Sequence, residues 1–209
     1  MAQLVGDVSL SFDKKEPTAA VLLDISKAFD TVDHAILIHK LDYIGIRGKA
    51  LQWITSYLGN RTQIVKLNNA KSDSLVTNCG VPQGSVLGPL LYSIYTNDAF
   101  TSLKHCKLVQ FADDSTLYIG GQPEVTIPKL NSDLASFMDW CRANKLSLSP
   151  TKTCAIQFRR TGVPDSNTQI SLNNTNVPIQ DSVKLLGLYL DHDLSWTSHL
   201  FHLRQKLAS

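Results

Sequence analysis

Three aspartates are the residues of this chain best suited to chemistry. Asp113 and Asp114 stand side by side after the apolar run Lys107 to Phe111, in the segment Phe111-Ala112-Asp113-Asp114. Two adjacent carboxylates next to a core strand are costly to place unless something positive compensates them, and a divalent cation is the usual compensator. Neighbouring residues on a strand face opposite ways, but at a hairpin turn both reach one side. A third carboxylate from an adjacent strand then completes an oxygen set of the kind Mg²⁺ takes. Asp24, which closes the apolar segment Thr18 to Ile25, is the natural third member. Two metal ions about 3.5 to 4 Å apart in such a set activate an attacking oxygen and stabilise a leaving one in phosphoryl transfer. An exposed Asp-Asp turn without any metal is the other reading, and the pair by itself leaves both open.

The elements that must position these groups are legible in outline. TAAVLLDI, Thr18 to Ile25, is too short for a helix of its own and apolar enough for a buried strand. Apolar residues at helical spacing predict a helix from about Asp33 to Tyr43, and Lys49 to Leu58 reads as a second, ended by Gly59-Asn60. Strands are expected at Gln63 to Leu67 and Leu75 to Asn78 with an Asn/Ser-rich turn between them. The turn Cys79 to Gly84 opens onto a helix from Ser85 to Thr96. Lys107 to Phe111 and Thr116 to Ile119 read as a strand pair around the acidic turn, followed by a helix over about Ile127 to Asn144 whose apolar stripe should pack on a sheet. Cys154 to Phe158, Gln169 to Leu172 and Val183 to Leu190 are strand-like, and a short helix begins at Ser198. The alternation has no strict βαβ rhythm, which favours an α+β fold of helices on a largely antiparallel sheet.

Charge is distributed in blocks. From Tyr43 to Ser72 there are five basic residues and no acid, and from Trp140 to Pro164 five more and again no acid, although the whole chain carries only +2. A basic surface beside an acidic pocket is what a nucleic-acid enzyme with metal-binding carboxylates would show, and two ordinary solvated faces are the alternative. The 209 residues suffice for one sizeable core with at most a small appended subdomain. No apolar stretch reaches the length of a membrane span and no signal-peptide core follows Met1, so the expectation is a soluble, unexported chain without a membrane partner. Nothing marks nucleus over cytoplasm. Cys79, Cys106, Cys141 and Cys154 lack zinc-ligand spacing and are expected to be unpaired core thiols. His199 and His202 share a helix face without a third ligand, and His34 is expected to cap or pack locally.

Five segments stand in order along the chain: LLDISKAFDTVDH (Leu22 to His34), GVPQGSVLGPLLY (Gly80 to Tyr92), FADDSTLY (Phe111 to Tyr118), NKLSLSPTKT (Asn144 to Thr153) and KLLGLYLD (Lys184 to Asp191). Together they resemble the palm motifs of reverse transcriptases, most closely those of jockey-like non-LTR retrotransposons. The resemblance runs from about Thr18 to the C-terminus. It implies a polymerase palm over 18–191 with finger-proximal helices at about 33–80, a residual fingers segment at 1–17, and the start of a thumb at 192–209. It also implies that most of the fingers, the thumb and an endonuclease are missing, a loss expected to impair substrate positioning.

Residue by residue, the resemblance makes Asp24, Asp113 and Asp114 the ligands of Mg²⁺ or Mn²⁺, with the Ile25 carbonyl a further ligand. Phe29 matches the aromatic gate that a ribose 2′-OH would strike. Gln83 and Gly84 match the turn that meets the incoming nucleotide and template, and Lys152 matches the lysine that serves the departing pyrophosphate. Leu186-Gly187 fall in the primer-grip hairpin. The implied partners are an RNA template, a DNA primer and dNTPs. Two classes of function follow: an RNA-directed DNA polymerase, or a non-catalytic retrotransposon remnant that folds or binds nucleic acid without polymerising. An RNA-dependent RNA polymerase shares the carboxylate logic but wants a smaller or polar residue at Phe29.

Overall fold

The computed structural model describes residues 1–160, 169–173 and 175–208, so the second basic block ends beyond the described residues. The chain divides into two compact units, one built from Met1–Ile25, Phe100–Asp139 and Leu148–Ser209, the other from Ser26–Ala99 and Trp140–Ser147.

The first unit is organised by β1 (Thr18–Asp24), whose apolar side chains are buried on both faces. It lies inside a four-stranded antiparallel sheet in the order β6, β7, β1, β8, where β6 is Lys107–Phe111, β7 is Asp114–Gly120 and β8 is Cys154–Phe158. One face carries Ala20, Tyr118, Ile156 and Phe158, which share a core with Leu4, Val8 and Phe12 of α1 (Ala2–Asp13). Spaced four apart, those three residues form one stripe of the helix. Val183, Leu185 and Leu190 join the same core. They belong to a hairpin, β11 (Ser182–Leu185) and β12 (Leu188–Asp191), preceded by two two-stranded pieces, β9 (Ser171–Leu172) and β10 (Thr175–Asn176). The run expected as one strand from Val183 to Leu190 is therefore folded back on itself. Leu186 and Gly187 form the turn with φ of 48° and 84°, the pair of left-handed residues that a primed two-residue hairpin turn requires.

Helix α5 (Pro123–Ala143) starts four residues before the expected Ile127, with proline at its first position, where its missing N–H costs nothing. Its Ile127, Leu130, Leu134 and Phe137 are all buried. Asp133 on the same helix is fully buried and accepts the backbone N–H groups of Lys104, His105 and Cys106. Burial alone would raise this carboxyl, but the three donors outweigh it and hold it below the usual carboxylate range. The segment leading into β6 is thereby tied to α5. Helix α6 (Thr197–Ala208) follows β12, and its His202 ring stacks on Tyr189 at 3.9 Å, so the two histidines pack against β12.

In the second unit, α2 (His34–Tyr43), α3 (Gly48–Leu58) and α4 (Leu87–Thr96) bury Leu37, Leu41, Leu58, Leu91, Tyr92 and Tyr95. Asp33, not His34, caps α2 by accepting Ile36 N–H at 3.0 Å. Lys145 Nζ stands 2.6 Å from the other Asp33 oxygen, and these two interactions keep the Asp33 carboxyl below its usual range. His34 Nε2 instead donates to the Gly80 carbonyl at 2.8 Å. Between α3 and α4 the chain makes a ribbon: β2 (Arg61–Gln63) pairs with β5 (Leu75–Thr77), and β3 (Lys66–Leu67) with β4 (Ala70–Lys71). The expected strand Gln63 to Leu67 is interrupted, and the return strand begins at Ala70 rather than Leu75. Of the four cysteines only Cys141 is buried, its thiol pushed up to about 12 by desolvation, while Cys79 is exposed, which corrects the expectation of four core thiols.

Candidate active site

The register of β1 against β7 sets Asp24 directly opposite Asp114. Because paired residues in an antiparallel ladder share a face, both carboxylates emerge on the side of the sheet that also carries Leu22, Cys154 and Thr116. Asp113 lies just before Asp114 in the two-residue turn from β6 to β7, with Ala112 at φ 52° as the turn's first member. An alanine held in the left-handed region is a strained choice, of the kind found where a turn must aim particular side chains.

Asp24 is partly buried and Asp114 exposed. The Asp114 carboxyl is raised above its ordinary value, first by desolvation, then by the charges of Asp113 and Asp24, with Lys152 pulling the other way. Three carboxylates therefore act on one another at one end of the sheet. Lys152 Nζ stands 3.3 Å from both oxygens of Asp24. The loop that carries this lysine is fastened to the same aspartate: Ser149 N–H donates to the Asp24 carbonyl at 2.8 Å, and the Thr153 hydroxyl donates to the Ser149 carbonyl at 2.8 Å. Ile25 pairs with Leu148 in this ladder, but the bonds run through Asp24, Ser26, Ser147 and Ser149, so the Ile25 carbonyl takes no part in it.

Among the described residues no three His, Cys, Asp or Glu side chains are gathered tightly enough to enclose a metal ion. Donor type and charge nevertheless fit a hard divalent cation: three carboxylates repel one another, and the ammonium against Asp24 is solvent-exposed and displaceable. A cleft of about 110 Å³ opens here, lined by Asp24, Asp114, Thr116, Lys152, Cys154 and Lys184. Lys184 is a second cation of this cleft that residue type alone did not single out. Its position within KLLGLYLD, two residues before the Leu186-Gly187 turn, was the available signal.

The remaining expected residues lie in the second unit. Phe29 is partly buried, with its ring 4.7 Å from that of Tyr92 and tilted by 31°. Gln83 is exposed and donates its amide to Asp30 at 2.8 Å. Gly84 has φ 77° and open space where a Cβ would stand. Gly80 is the more constrained glycine: a Cβ there would lie 2.8 Å from the Asp30 carbonyl oxygen, because Gly80 and Val81 donate to Val32 and Phe29.

The family described as reverse transcriptase (RNA-dependent DNA polymerase) matches residues 3–190. The probable RNA-directed DNA polymerase from transposon BS of Drosophila melanogaster is 32% identical over 212 residues, covering 95% of this chain and 23% of that protein. The RNA-directed DNA polymerase from mobile element jockey of the same organism is 28% identical over 204 residues, covering 93% of this chain and 22% of its own length. The chain thus spans less than a quarter of these relatives. Telomerase from Candida tropicalis, solved with a fragment of telomeric RNA, superposes with a TM-score of 0.63 at 13% identity, over 94% of this chain and 33% of that one. With an α+β fold shared with telomerase and a match over nearly its whole length, the chain belongs to the reverse transcriptase family.

Proposed function

We propose that this chain is the palm segment of an RNA-directed DNA polymerase of the non-LTR retrotransposon kind, joining dNTPs to the 3′-OH of a DNA primer on an RNA template. The observation that carries the reading is the opposition of Asp24 and Asp114 across β1 and β7, with Asp113 in the adjoining turn and Lys152 against Asp24. Residues 18–191 form the palm in this reading, the helices within about 33–80 lie toward the fingers, 1–17 lead in from the fingers and 192–209 begin the thumb. Divalent cations, magnesium or manganese, supply Lewis acidity and charge neutralisation in this chemistry.

Asp24, Asp113 and Asp114 would hold these ions, and the Ile25 carbonyl, free of the neighbouring ladder, is available as a further oxygen. Lys152, held against Asp24 at 3.3 Å, would serve the departing pyrophosphate as proton donor. On the same reading Phe29, whose ring lies against Tyr92, would be the barrier to a 2′-OH, and Gln83 and Gly84 would meet the nucleotide and template. Almost all of the rate in phosphoryl transfer comes from positioning and charge stabilisation, so these fixed groups are where the protein acts.

The test is primer extension on an RNA template with dNTPs and Mg²⁺ or Mn²⁺, comparing the chain with Asp113→Asn/Asp114→Asn. Extension that disappears in the variant supports the reading. Extension that survives removes the carboxylates from the chemistry, and no extension by the folded chain favours a non-catalytic remnant.

A further inference from the structure

The ribbon of residues 61–77 is built from two pairings whose registers do not match. Gln63 lies opposite Leu75, while Val65 and Ser72 already bond in the register of the outer pair, Ser72 N–H to the Val65 carbonyl and Val65 N–H to the Ser72 hydroxyl, both at 2.9 Å. Ile64 is therefore opposed by both Asp73 and Ser74, a bulge that increases the local twist. Past the bulge, Lys66 and Lys71 are direct cross-strand partners. Their side chains leave the same face with Cβ atoms about 5 Å apart, and like charges so placed repel. Neither lysine forms an ion pair among the described residues, and both are exposed.

The ribbon also has no core of its own. Val65 is 69% exposed, Leu67 72%, Leu75 66% and Val76 64%. An isolated two-stranded ribbon is marginal in water, so one that keeps apolar side chains and two facing lysines in solvent is suited to lying against a partner. An anionic partner fits, because the ribbon carries three cations, Arg61, Lys66 and Lys71, against the single acid Asp73. Two neighbouring phosphates, one at Lys66 and one at Lys71, would turn their repulsion into two charge-assisted contacts.

We infer that the 61–77 ribbon is a backbone-binding arm for single-stranded RNA, with Lys66 and Lys71, which share one face, clasping consecutive phosphates. The inference deepens the proposed function by naming a surface for the template, and it rests on that reading for the choice of RNA. The test is binding rather than catalysis: fluorescence anisotropy of a labelled single-stranded RNA across a salt series, with wild type, Lys66→Ser/Lys71→Ser and Asp113→Asn/Asp114→Asn. Removing two lysine–phosphate pairs should lower the slope of log affinity against log salt by about 1.4, so that between 50 and 200 mM salt the wild type weakens about sevenfold more than the lysine variant. The aspartate variant should keep the wild-type slope, so failure of polymerisation and failure of the arm give different patterns. An unchanged slope in a folded lysine variant overturns the inference. So does a mass in sedimentation that falls from dimer to monomer in Leu67→Ser/Val76→Ser while RNA binding stays intact, which would make the ribbon a protein interface.

Discussion

Replacing Lys152 by methionine should tighten the binding of a divalent cation to the metal-free protein. The ammonium stands 3.3 Å from each Asp24 oxygen, and a cation that takes Asp24 must first displace it. At that separation the attraction is about 5 kcal/mol for an effective dielectric of 20 and about 1 kcal/mol for water. The lysine side chain is 68% exposed and that of Asp24 22%, so solvent brings the pair close to the lower figure, in the range of surface ion pairs. About 1 kcal/mol corresponds to a fivefold gain in affinity, and because the pair is solvent-facing the gain should shrink in high salt. Calorimetric titration with Mn²⁺ at low and at 0.5 M salt reads both effects. Lys152→Arg should stay near wild type and Asp24→Asn should abolish the binding altogether. An affinity for Mn²⁺ that is unchanged or weaker in Lys152→Met would refute the competition between ammonium and metal.

Asp114→Asn should stabilise the protein in EDTA, with a pH dependence that identifies the cause. The folded carboxyl is raised by desolvation, Asp113 and Asp24, so the native state holds this proton more tightly than the unfolded chain and stability falls as pH rises from the ordinary carboxylate value through the raised one. The variant lacks that penalty; its advantage should be absent at low pH and complete by neutrality, about 0.5 kcal/mol for so exposed a group, and a pH-independent difference in Tm would contradict the carboxylate repulsion. Thr18→Val removes a hydroxyl that is buried without a partner among the described residues. It should gain about 1 kcal/mol, raising Tm by about 2 to 4 °C, and a loss of stability would show that the hydroxyl is satisfied.

What could be read from the sequence was whatever depends on local spacing or residue chemistry. The segments β1, α2, α3, β6 and β8 lie within a few residues of their expected positions because apolar periodicity and flanking turn residues bound them. Helix α1 was not expected: its stripe of Leu4, Val8 and Phe12 is interleaved with Gly6, Asp7, Ser9 and Ser11, a pattern that only the sheet beneath it makes worthwhile. The turn at Leu186-Gly187 was hidden inside an apolar run because leucine is a rare occupant of the left-handed region. The three carboxylates were legible from residue type. Their arrangement was not, since the opposition of Asp24 to Asp114 and the ion pair with Lys152, 128 positions away, exist only once distant strands have paired.

The position of β1 also bears on how the protein is made. Its ladders join Thr18 to Gly120 and to Phe158, so once synthesised this strand waits for partners 102 and 140 residues downstream. At translation rates of about 5 to 20 residues per second the edge that β7 covers stays open for roughly 5 to 20 s and the edge that β8 covers for roughly 7 to 28 s. Closing so long a loop is slow, and an unpaired strand of this composition invites pairing with other chains. The strand that carries Asp24 is thus the natural point of capture by a chaperone or of aggregation, and the end of the sheet that gathers Asp24, Asp114 and Lys152 is complete only once Lys152 has been synthesised.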